Sequence, residues 1–213
     1  MKKADVQNST FVLDSHLGYF RNKGVDVMAF DDIYPAGHQS GVSIIMHGSR
    51  LAANGDVRFE PTPGQWQPVP KQGVQELDEQ TGTITTHLSY PDLSKHLKGF
   101  NPMIYPDYRF TYTVTVKGQG ESVLITVDLG KSIPEEYVGK LCFNLELFPG
   151  ALFGKPWIMD EKTGIFPRQP NVLCTVGKAT TCIPGIFPKS PAALTENGFP
   201  EITMGIILLS QMI

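Results

Sequence analysis

Along most of the chain, apolar and polar positions alternate with a period of two, and clusters of Gly, Asn, Asp and Pro interrupt the alternation at short intervals. The clearest case is "YRFTYTVTVKGQGESVLITVDL", Tyr108 to Leu129, which predicts an antiparallel hairpin closed by a Gly-rich turn. "VQELDEQTGTITTHLSY" predicts a second, with its turn at Gln80–Gly82. "GVSIIMHGSRLA" and "DVRFEP" flank "ANGD" and predict a third, since Asn-Gly is a strong hairpin signal. "VLDSHLGYF" and "VDVMAF" also read as strands. "KLCFNLELF" is a further one, with Cys142, Asn144 and Glu146 on one face and Leu141, Phe143, Leu145 and Leu147 on the other. No long amphipathic helix is evident, and "IPEEYVGK" predicts one short helical turn. The expected fold is all-β, an antiparallel β-sandwich with long loops from about Phe11 to Phe148. "EPTPGQWQPVPKQG" and "PDLSKHLKGFNPMIYPD" read as loops that either carry recognition or cover an end of the sheets.

Composition agrees with this pattern. The chain has 213 residues, enough to bury a core without disulfides or metal, and its 21 Gly and 17 Pro suit a turn-rich β protein. The formal net charge is −3 and no basic run occurs, which argues against nucleic acid as a partner. After "MKK" no apolar signal-peptide core follows, so the expected location is the cytoplasm. "ITMGIILLSQMI" is well short of the roughly 20 residues that span a bilayer, so no membrane is expected. The three cysteines, Cys142, Cys174 and Cys182, form no CxxC and leave one unpaired, which argues against a disulfide framework and a zinc ribbon. No cofactor or metal is expected.

Most catalytic signatures are missing: no G-x-S-x-G, no H-E-x-x-H, no phosphate loop and no dinucleotide fingerprint. Glycoside hydrolysis needs two carboxyl groups facing each other across a bond. The adjacent acids are Asp31–Asp32, Asp78–Glu79, Glu135–Glu136 and Asp160–Glu161. Neighbours on a strand point to opposite faces, so adjacency is not pairing. Asp31–Asp32 stands out because "AFDDIYPAGHQSG" gathers two acids, Tyr34 and His38 in one loop; the alternative is a solvated loop. Trp66 in "PGQWQPVP" and Trp157 in "GKPWIMD" sit in polar loops, where an indole offers a flat apolar face to a sugar ring. The alternative is that each plugs the end of the sandwich or docks against a neighbouring domain. Candidate sugar contacts are therefore Trp66, Trp157, Tyr34 and His38.

"GVDVMAFDDIYPAGHQSGVSIIMHG", "ANGDVRFEPTPGQWQPVPK", "FNLELFPGALFGKPWIMD" and "GIFPRQPN" together resemble the N-terminal region of large multidomain glycoside hydrolases of polysaccharide-degrading Bacteroidetes, grouped with the family nine, endoglucanase-like enzymes. The resemblance covers roughly Phe11 to Asn171. It implies a β-sandwich placed before an (α/α) barrel that carries the catalytic acids, and parent enzymes that are periplasmic or secreted. No barrel-like sequence follows Asn171, so the resemblance supplies no catalytic residue.

Past Asn171 the chain changes style, with few charges and no clear period. One reading of the change is a shifted reading frame, since one allowed shifted reading of the tail is polar and rich in Tyr and Gly; the alternative is a genuine short protein with an irregular C-terminal segment. The expected organisation is a disordered stretch over 1–10, the sandwich module over 11–171 and an irregular tail over 172–213, poorly packed and exposing Ile202, Ile206, Ile207, Leu208 and Leu209. Three functional readings stay open. The first is a truncated non-catalytic module whose partner is a catalytic domain in cis. The second is a stand-alone carbohydrate-binding module, and the third is a small glycosidase with a site at Asp31, Asp32 and His38.

Overall fold

A computed structural model describes residues 10–30, 41–59, 68–95, 107–159, 162–166 and 201–207. Its strands are β1 (Val12–Asp14), β2 (Tyr19–Asn22), β3 (Val25–Ala29), β4 (Val42–Met46), β5 (Ser49–Phe59), β6 (Lys71–Asp78), β7 (Thr83–Tyr90), β8 (Phe110–Gln119), β9 (Ser122–Asp128), β10 (Leu141–Leu147), β11 (Pro156–Met159), β12 (Lys162–Ile165) and β13 (Glu201–Ile207). The single α-helical turn among the described residues is α1 (Pro149–Leu152), and 3-10 turns occupy Leu93–Lys95 and Glu135–Tyr137. The latter is the short turn expected in "IPEEYVGK".

Eleven of these strands form two antiparallel sheets, as expected for a sandwich, while β11 and β12 pair separately as a two-stranded hairpin. One sheet runs β1-β2-β3-β4-β5-β10 and the other β13-β9-β8-β7-β6. Alternation decides which side chains go inward. Phe20, Val27, Ile44, Val57 and Phe59 of the first sheet join Ile84, Leu88, Val114, Val116, Ile125 and Val127 of the second in one buried cluster. Each such side chain contributes about 1.5–3 kcal/mol by leaving water. Polar bonds also join the sheets. The Gln75 amide donates to the Ala29 carbonyl at 2.5 Å, and the Phe11 N–H donates to the Gly120 carbonyl at 2.8 Å. Ile84 of β7 pairs with Val116 of β8, and Thr86 with Val114, so the inward rows continue across the sheet.

The β6–β7 and β8–β9 hairpins form as the alternation predicts. The expected turn at "ANGD" does not. Those residues lie inside β5, and the hairpin to β4 closes instead at His47–Gly48, both at positive φ. β5 has β4 along one side and β10 along the other, and the register slips twice against β4 and once against β10. Asn54 takes a left-handed φ of 56° there, so the Asn-Gly pair makes a bulge and not a turn. Gly55 is required by closeness. A Cβ on it would lie 2.7 Å from the Val42 Cβ and 2.8 Å from the Val42 carbonyl oxygen. "VLDSHLGYF" likewise is not one strand but β1, a turn and β2.

In the tail, Glu201–Ile207 pairs with β9 over seven positions, from Glu201↔Asp128 to Ile207↔Ser122. Backbone pairing thus orders this part of the segment expected to be loosely held, and it does so at an edge, not in the centre of the sheet. Of the apolar tail residues named above, Leu208 and Leu209 lie outside the described residues. The opposite edge, β6, is broken by a bulge between Gln72 and Gln75, a device that hinders edge-to-edge pairing.

Candidate functional site

Asp31, Asp32, Tyr34, His38 and Trp66 lie outside the described residues. Trp157 stands on β11, half-buried, opposite Gly164 of β12. A Cβ on Gly164 would lie 2.5 Å from the Trp157 ring, so the glycine backbone already covers part of the indole. The other face of this hairpin exposes Ile158 and Ile165.

Several carboxylates among the described residues serve the fold. Asp14 accepts from the Leu17 N–H at 3.1 Å, Asp92 from the Ser94 N–H and hydroxyl at 3.0 and 2.6 Å, and Asp128 from the Gly130 N–H at 2.8 Å. Asp78 accepts from the Gln80 and Thr81 N–H groups at 2.8 and 3.2 Å. Hydrogen bonds from the Thr81 side chain and from these N–H groups hold its carboxyl below the ordinary aspartate value. The most buried is Asp56, at 0% exposure. Two residues along β5, Arg58 donates to it through Nε to Oδ1 and through Nη2 to Oδ2, the latter at 3.1 Å. Burial works against the Arg58 charge, but Asp56, by charge and hydrogen bond, and the Glu146 charge hold the guanidinium above its ordinary value. Asp56 is therefore an anchored structural anion.

Two tyrosines cross the core to the same stretch of β5. The Val57 N–H donates to the Tyr112 hydroxyl at 3.3 Å, and the Tyr90 hydroxyl donates to the Phe59 carbonyl at 3.5 Å. The β4–β5 ladder ends at Val42↔Gly55, so these hydroxyls serve backbone groups beyond it. Burial pushes the Tyr90 phenol up to about 12 and Tyr112 well above the ordinary value. Tyr108 and Tyr137 extend the aromatic cluster outward, with ring centroids 4.7 Å apart, and both are half-buried.

On its outer side the five-stranded sheet carries hydroxyls where the inner side carries valine and isoleucine. Thr85, Thr115 and Thr126 stand in register across β7, β8 and β9, and the Thr85 and Thr115 hydroxyls are 3.2 Å apart. Next to them an open depression of about 500 Å³ lies on the sheet face. Its floor is two adjacent rows. His87, Thr113 and Asp128 form one, across β7, β8 and β9; Lys71, Ser89 and Thr111 form the other, across β6, β7 and β8. Gly73 and Gly130 border it and raise no side chains. None of these positions was singled out as a sugar contact from the sequence. The available signal was the run of Thr on the polar side of β8.

No group of three or more His, Cys, Asp or Glu side chains suited to a metal ion occurs among the described residues, and no helix there is long and apolar enough to cross a membrane. Comparison with protein-family models, with curated proteins and with solved structures finds no match.

Proposed function

We propose that this chain is a non-catalytic β-sandwich module of a polysaccharide-degrading glycoside hydrolase, one that supports a catalytic domain in cis. The observation that carries the reading is the use made of acidic side chains. Asp56 is neutralised by Arg58, and Asp14, Asp78, Asp92 and Asp128 each accept backbone N–H groups at turns or strand ends. A glycosidase instead needs a proton donor and a second carboxylate free to face a sugar. The two-sheet architecture and the resemblance of residues 11–171 to the sandwich region of such enzymes support the same reading.

The test is activity. The purified chain is expected to release no reducing sugar from β-glucan, xylan or mannan above a buffer control. Hydrolysis by this chain alone, abolished by Asp31→Asn or Asp32→Asn, would make it a small glycosidase and overturn the reading. The gene supplies an independent check. A reading frame shifted near Asn171 is expected to encode a hydrolase-like continuation.

A further inference from the structure

We propose that the depression on the outer face of the five-stranded sheet binds a neutral, polyhydroxylated ligand, a glycan chain laid across β7, β8 and β9. The inference stands apart from the accessory-module reading, because it rests on the chemistry of one surface and not on what the chain is attached to.

The lining matches a sugar's edge better than other ligands. Ser89, Thr111 and Thr113 each offer a hydroxyl that donates and accepts, which is the pattern a vicinal diol presents in return. At one end, Asp128 uses Oδ1 for the Gly130 N–H, at 2.8 Å, and its other oxygen has no partner among the described residues. At the other end, the Lys71 ammonium forms no ion pair among the described residues. An acceptor and a donor therefore stand at opposite corners, with neutral hydroxyls between them. Gly73 and Gly130 leave the border low, so a ring can approach the floor. Thr111 to Thr115 spans roughly 14 Å along β8. The threonine row beside the depression extends the hydroxyl surface in the same plane.

Other ligand classes fit less well. A phosphate or polyanion would meet the Asp128 carboxylate. Glu76, 3.8 Å from the His87 imidazole, adds a further negative charge next to the depression. An extended peptide adds to a sheet edge through backbone bonds, whereas this surface is a sheet face.

The experiment is calorimetric titration of the full chain with cellotriose, xylotriose and mannotriose, each beside its monosaccharide, and with trigalacturonate and inorganic phosphate as anionic probes. At least one neutral trisaccharide is expected to bind saturably and more tightly than its monosaccharide, without competition from phosphate. Asp128→Asn keeps an acceptor for the Gly130 N–H and removes the charge, and is expected to weaken binding about tenfold, the value of one charge-assisted hydrogen bond. Thr111→Trp, at an exposed position, is expected to fill the depression and abolish binding while the far-UV circular dichroism stays that of the parent. Absence of binding by every neutral glycan at about 10 mM overturns the proposal, as does displacement by phosphate or preference for trigalacturonate. Binding that survives both variants but is lost in Trp157→Ala or Tyr137→Ala also overturns it. Failure here leaves the hydrolysis result untouched, so the two readings fail separately.

Discussion

Removing the Asp56 carboxylate tests whether the bulged strand β5 is anchored by charge. In Asp56→Ala the Arg58 guanidinium loses both bonds to its partner, in surroundings where its side chain is only 12% exposed. Leaving one member of a buried pair alone costs about 3–5 kcal/mol. The lower end applies, because the Glu146 charge also favours the guanidinium and part of the side chain reaches water. A loss of about 3 kcal/mol corresponds to a fall in midpoint of roughly 6–12 °C for a domain of this size. Urea unfolding followed by far-UV circular dichroism measures the loss directly. The double variant Asp56→Ala/Arg58→Met removes both charges and fills the space with an apolar chain. It is expected to be more stable than Asp56→Ala alone, because no unpaired charge remains. The reasoning is refuted if Asp56→Ala costs less than about 1 kcal/mol, the range of an exposed pair. It is refuted equally if the double variant loses the sum of the two single losses.

Two further outcomes follow from the same region. Burial raises the Tyr90 phenol to about 12 and Tyr112 well above its ordinary value near 10, so the folded state holds its phenolic protons longer than the unfolded one. Stability is then full below about pH 10 and falls as pH rises through 10 to 12; urea midpoints across that window check it, and Tyr90→Phe should flatten the fall. Gly55→Ala is expected to cost about 1–3 kcal/mol in the same urea assay, since its Cβ meets Val42 backbone and side-chain atoms at 2.7–3.1 Å with no flexible group to yield.

Fold class and most of the hairpins were legible in the order of residues along the chain. Side-chain alternation is a property of neighbouring residues, and in "FTYTVTV" or "SVLITVD" it fixes both the strand and its buried face without reference to the rest of the chain. The short turn at Glu135–Tyr137 is local in the same sense. Tertiary structure decided what local rules rank wrongly. Asn54-Gly55 has the composition of a hairpin turn, yet β4 and β10 flank β5 and their pairing continues through it, so the surplus residues are absorbed as bulges. In the same way β9 offers an unpaired edge, and Glu201–Ile207 takes it from more than seventy positions away. The depression was illegible for the same reason. Lys71, Ser89 and Thr111 carry no spacing signal along the chain, and nor do His87, Thr113 and Asp128. Only the register of four neighbouring strands lines them up, and register is set by the burial of the opposite face, where Ile84, Leu88, Val114, Ile125 and Val127 must all point into one core.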